Sequence, residues 1–117
     1  MDMTTLDREF SLLVRSLSDW ICTRCGRNFA SRPEELHCSH FHSRRHMAVR
    51  FDFDNCDALC WECHDYFDHH PAEHAAWKLE QLGCERFDAL QESARRIVKL
   101  DKKSVRANLR NFKFQAA

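Results

Sequence analysis

Apolar positions recur at helical spacing near both ends of this chain and alternate briefly in its middle. Leu6, Phe10, Leu13 and Leu17 fall at i, i+4, i+7 and i+11, which predicts an amphipathic helix over 4–18 with Thr4 or Thr5 as its cap. Leu36 to His42 reads as a strand and the alternating run Val49 to Phe53 as its hairpin partner, joined by the basic segment Ser43 to Ala48. Asp54-Asn55 is a turn signal, and a short helix is expected from Trp61 to about His69. Pro71 suits the first position of another helix and Gly83 the position past its end, with Ala75, Leu79 and Leu82 facing inward beside Trp77. Phe87, Leu90, Ala94 and Ile97 predict a helix from about Glu85 to Leu100, and Val105, Leu109 and Phe112 a short last one. The expected fold is mostly α with one small β-hairpin.

A chain of 117 residues suits a single domain with one modest core. Its parts are an N-terminal helix (1–19), a central finger (20–70), a helical extension (71–100) and a basic C-terminal tail (101–117). The formal charge is zero, but it is unevenly spread. Residues 61–93 carry two basic against eight acidic side chains, whereas residues 94–117 carry eight basic ones against Asp101 alone. Overall neutrality therefore does not exclude a polyanionic partner, although a solvated charged helix fits the same tail. No apolar run approaches the roughly 20 residues of a membrane span. Asp2, Asp7, Arg8 and Glu9 stand where a signal peptide needs an apolar stretch, so an intracellular, cytoplasmic location is expected.

That compartment changes how the seven cysteines are read. Disulfides are rare in a reducing cytosol, and an odd number cannot all pair within one chain. Cys22-x-x-Cys25 and Cys60-x-x-Cys63, separated by 34 residues, have the spacing of two zinc knuckles. Each two-residue spacer lets both sulfurs face one point, so a structural Zn²⁺ held by four thiolates is expected to clamp everything between them. Gly26 permits the turn after the first knuckle. Cys38, Cys56 and Cys84 are expected to pack as small apolar groups.

Between the knuckles lies His40, beside Arg44, Arg45 and Arg50. An imidazole that titrates near neutrality can take a proton from water, as phosphodiester hydrolysis requires of a general base. His64 follows Cys63 directly, so a bound zinc would fix its position, and there it could hold a divalent ion opposite His40. Asp68 lies one helical turn from His64 and shares its face, and His42 is a third candidate ligand. The Asn55 amide can tie the loop carrying His40 to neighbouring backbone. Arg44, Arg45 and Arg50 are candidates for DNA phosphates, or for ion pairs with Asp52, Asp54 or Asp57.

His40, Asn55 and His64 in that order, with zinc knuckles on both sides, resemble an HNH endonuclease. Cys-x-x-Cys-Gly, His40-Phe41-His42-Ser43-Arg44, Arg50-Phe51-Asp52, Asn55 and Cys60-x-x-Cys63 resemble more narrowly the phage NinG/Rap recombination endonucleases, with Leu79-x-x-x-Gly83 matching downstream. The resemblance implies a treble-clef-like ββα-metal finger on a zinc scaffold. It implies His40 as general base and DNA as substrate; a catalytic Mg²⁺ or Mn²⁺ would rest on His64 with water or recruit Asp68. Recombination or branched intermediates of a phage or prophage are the implied setting, and cleavage of a two-fold symmetric junction would favour a homodimer. A non-catalytic zinc module that binds DNA or a protein is the alternative. Ser39 stands where many HNH enzymes carry an Asp or His ligand, and His64 where the phage proteins more often have Asn.

Overall fold

The computed structural model describes residues 2–116, with side chains as far as Phe112; Ala117, the end of the basic tail, lies outside the described residues. Helix α1 (Met3–Leu17) buries Leu6, Phe10, Leu13 and Val14. Val14, at i+8 from Leu6, takes the inward place expected for Leu17, which is exposed. The cap is Asp2 rather than either threonine: its carboxylate accepts from the Thr5 N–H at 3.0 Å and from the Thr5 hydroxyl. Asp19 and Trp20 then adopt left-handed backbone, which turns the chain sharply into the first knuckle.

Strand β1 (Leu36–His40) pairs antiparallel with β2 (Cys56–Cys60), in the register Leu36–Cys60, Cys38–Ala58 and His40–Cys56. Here the structure corrects the expected hairpin. Val49 to Phe53 is not its second arm; it forms two short 3₁₀ turns, Met47–Val49 and Phe53–Asn55, with Arg50 to Asp52 between them. Its alternating side chains serve two cores rather than one sheet face. Val49 is buried with Leu90 and Ala94, while Phe51 and Phe53 flank Phe10 at ring separations of 5.6 and 5.0 Å. The true arm, Cys-Asp-Ala-Leu-Cys, is buried on both faces and so shows no amphipathic alternation.

Four helices follow or cover the hairpin. Helix α2 (Trp61–His69) starts inside the second knuckle, with Cys60 as its cap. Helix α3 (Pro71–Leu82) ends at Gly83, whose φ of 82° is accessible to glycine at little cost. Its buried residues are His74 and Lys78, not the expected Leu79, which is 38% exposed. Helix α4 (Cys84–Ala94) stops well short of Leu100, and Ile97 is fully solvent-exposed instead of inward. Helix α5 (Lys102–Ala116) lies against α1; Leu109 enters the main core, Phe112 stacks on Phe53 at 4.4 Å, and Arg106 pairs with Glu9. The basic tail is thus also a packing element. The fold is mostly helical with a two-stranded hairpin and a four-cysteine cluster, consistent with a zinc-bound ββα HNH fold. Among the described residues, no helix is long and apolar enough to cross a membrane.

Candidate metal centre and active site

The register places Cys60 at the knuckle end of β2, and α2 carries Cys63 one turn further on. The first knuckle docks on the same end: Thr23 bonds the Ala58 carbonyl through both its N–H and its hydroxyl, each at 2.9 Å. All four sulfurs of Cys22, Cys25, Cys60 and Cys63 consequently lie within 4.8 Å of one another. The donor set fits a soft tetrahedral ion, for which sulfur–sulfur edges are about 3.8 Å; Cys25 and Cys60 already stand 3.9 Å apart.

The surroundings favour thiolates. The Cys25 N–H points at Cys22 Sγ and the Cys63 N–H at Cys60 Sγ, each at 3.5 Å. Arg24 reaches Cys63 Sγ, and Arg27 reaches Cys25 and Cys60. Burial pushes the Cys25 thiol up, but the Arg27 donors and neighbouring thiols outweigh it and bring it down to about 6. Cys63, deeper, is pushed up to about 12 by burial despite the Arg24 bond. Two guanidinium groups beside a site of four thiolates oppose the excess negative charge that remains on such a site when it holds a divalent ion.

At the far end of β1, half-buried His40 bonds the Arg50 carbonyl through Nε2 at 2.9 Å. A carbonyl only accepts, so Nε2 carries the proton and Nδ1 keeps the free lone pair. Burial holds this imidazole below its ordinary pKa; the Arg50 carbonyl and Asp7 pull it up, and the Arg44 and Arg50 charges pull it down. Buried Asn55 fixes the segment around it. Its amide donates to the His42 and Val49 carbonyls at 2.9 and 3.1 Å and accepts from the His42 N–H at 2.8 Å, while the Asn55 carbonyl accepts from Phe41.

The arginines separate in role. Arg50 is bound by Asp7 through two nitrogens, at 3.0 and 2.5 Å, so its guanidinium is committed to α1 and not open to phosphate. Asp7, rather than Asp52, Asp54 or Asp57, is its partner. Arg44 is exposed and reaches Asp7 at 3.5 Å, whereas exposed Arg45 has no ion pair among the described residues.

His64 is not brought opposite His40. Its Nδ1 lies 3.1 Å from Nδ1 of His37, and its Nε2 lies 3.8 Å from Asp68. His37 and His40 point to opposite faces of β1 and are three residues apart, about 10 Å along a strand. His64 and Asp68 are solvent-accessible enough to hold a hydrated hard ion through two side chains, which suits Mg²⁺ or Mn²⁺. Ser39 is buried opposite Asp57, on the face covered by α3. The remaining histidines are engaged in packing and hydrogen bonds: His42 with Gln91 at 2.5 Å, His70 with the Tyr66 carbonyl, and His74 stacked on Phe67.

Two groups escaped the sequence reading. His37 precedes His40 by an odd spacing, and only the helix crossing shows that it meets His64. Cys38 and Cys56 were expected as packing residues, yet their sulfurs and a His40 ring nitrogen lie within 4.8 Å of one another. The i, i+2 spacing of Cys38 and His40 hinted at a shared face; Cys56 joins them only through the register.

No curated protein and no solved structure matches this chain. Among family models, residues 22–66, from the first knuckle through the start of α2, match the HNH endonuclease domain, which is associated with nuclease activity and metal binding.

Proposed function

We propose that this protein is a DNA endonuclease that hydrolyses phosphodiester bonds with His40 as general base. The observation that carries this reading is the Nε2–Arg50 carbonyl bond, which orients the ring and leaves Nδ1 as the proton acceptor. Asn55 is a positioning residue: it braces the backbone on both sides of the His40–Arg50 contact. Exposed Arg44 and Arg45 would meet phosphates, giving salt-sensitive binding with little sequence selectivity. Zn²⁺ is the structural ion proposed for the four cysteines. His64 and Asp68 would hold Mg²⁺ or Mn²⁺; set beside His37 and not opposite His40, such an ion would supply positive charge to the bound DNA backbone rather than share the scissile phosphate with the base.

The finer reading follows the resemblance to the phage NinG/Rap enzymes: branched or recombination intermediates as substrate, in an intracellular phage or prophage setting, with two copies acting on a symmetric junction. Its test is cleavage of linear, single-stranded and branched DNA with Mg²⁺ or Mn²⁺. His40→Ala is expected to lower the rate by about 10²–10⁴-fold while leaving DNA affinity nearly unchanged and the protein folded at the assay temperature. Equal cleavage by the variant would remove His40 from the mechanism. Absence of cleavage by the wild type on every substrate and ion would instead favour a non-catalytic DNA-binding module.

The pH profile is a separate check. The base works neutral, and burial keeps His40 below the ordinary histidine value of 6.5. Cleavage is therefore expected to reach its plateau by neutral pH and to fall only as pH drops below about 6.5. An acid limb centred above pH 7 would contradict the assignment.

A further inference from the structure

We infer that Cys38, His40 and Cys56 form a second metal site, selective for a soft ion of the zinc class, on the same hairpin face as Cys60 of the four-cysteine cluster. The site arises from register. Leu36, Cys38 and His40 alternate on one face of β1, and Cys56, Ala58 and Cys60 answer them from β2, with His40 paired directly to Cys56. Cys60 serves the four-cysteine cluster at one end of that face; the second group occupies the other. Its three donor atoms lie within 4.8 Å of one another. Tetrahedral zinc with two sulfurs and one nitrogen needs edges of about 3.5–3.8 Å, so side-chain adjustments of about 1 Å close it.

The arrangement around His40 is independent support. A metal-bound histidine characteristically donates its other ring N–H to a backbone carbonyl, fixing the tautomer and raising ligand basicity. His40 makes that bond to Arg50 at 2.9 Å, which leaves Nδ1 for the ion. The thiols select the metal: two sulfurs and an imidazole suit zinc, cadmium or cobalt, whereas Mg²⁺ prefers oxygen. Binding would release the protons of the Cys38 and Cys56 thiols to solvent and form two metal–sulfur bonds and one metal–nitrogen bond. Three protein ligands leave a fourth position to water.

Occupation would have a functional consequence that rests on the proposed role of His40. The same Nδ1 lone pair cannot bind an ion and accept a proton from water. Zinc at this site would therefore inhibit the nuclease by withdrawing its base.

The test uses full-length protein already holding its tight zinc, titrated with Co²⁺ in a buffer containing a metal-free reductant. The wild type is expected to take up one additional thiolate-bound equivalent, read from a thiolate-to-cobalt charge-transfer band and from release of protons at constant pH, which cobalt on His64 and Asp68 would not give. Cys38→Ser and Cys56→Ala should each lose the band, and Cys84→Ser should keep it. Because buried Cys56 is the riskier substitution, the ¹⁵N shift of the His40 ring in the wild type provides a variant-free readout: it should move on Zn²⁺ addition. No uptake beyond the first ion, or undiminished uptake by Cys38→Ser, would overturn the site. Zinc should also slow wild-type cleavage in step with occupancy, an effect lost in Cys38→Ser relative to its own zinc-free rate. Uptake with unchanged cleavage would uphold the site and overturn inhibition, along with His40 as the base.

Discussion

Cys60→Ser is expected to abolish both the tightly bound zinc and the cooperative fold. Cys60 is the last residue of β2, the cap of α2, and a member of the four-sulfur cluster. Losing it detaches the second knuckle from the first and the helix from the hairpin together. Structural zinc contributes an apparent ~10–16 kcal/mol in finger peptides, which equals or exceeds the ~5–15 kcal/mol total stability of an ordinary domain. The apolar core could not substitute for it, because its central residues, Leu36 and Leu59, belong to the strands that an ion on the four sulfurs would hold together. Metal analysis should give about one zinc per wild-type chain and none in the variant, whose far-ultraviolet circular dichroism should lose most helical signal. Exposed Cys84 provides the control, since Cys84→Ser should change neither quantity. A zinc-free protein with a cooperative melt would refute the scaffold role.

The second large effect lies at Lys78. Its ammonium is 2.8 Å from Asp57 and 2.9 Å from the Gln81 side-chain oxygen, and Gln81 in turn donates to Asp57 at 2.5 Å. The two charged side chains are only 1% and 5% exposed. Lys78→Met leaves the Asp57 carboxylate buried without its cation, at a cost of about 3–5 kcal/mol. At this chain length that is a fall of more than about 10 °C in melting temperature. Adding Asp57→Asn removes the stranded charge, so the double variant should recover much of the loss although it contains one more substitution. Thermal melts of both singles and the double measure this coupling directly. A Lys78→Met variant within about 1 kcal/mol of wild type would mean that water reaches Asp57. A double variant no better than the single would mean that packing, not charge, sets the cost.

Lys78 also marks where sequence reasoning lost sight of the fold. On helix α3 the pattern offers Leu79 and Leu82 as the obvious inward side, and a lysine is normally assigned to solvent. The choice between faces was made by Asp57, a carboxylate that the hairpin buries and that needs a cation opposite. That need arises only once two segments twenty-one residues apart are in contact. Ile97 failed for a related reason: the periodicity continued past Ala94, but no element lies there to cover it.

The chain alone was sufficient for features set by short-range chemistry. The spacing within each Cys-x-x-Cys pair, the helix begun at Pro71 and ended at Gly83, and the apolar stripe of α1 are local, so they are legible without partners. So was the likeness to HNH endonucleases, whose family model matches residues 22–66. The tertiary structure decided which segments pair and hence which face each side chain takes. Cys56–Cys60, not Val49–Phe53, completes the hairpin, because a doubly buried arm carries no alternation to reveal it. That register alone sets His40 beside Cys38 and Cys56, and the helix crossing sets His64 beside His37. A strand reverses its side chains at every residue, so a site built across two strands follows from their register and not from the order of its residues along the chain.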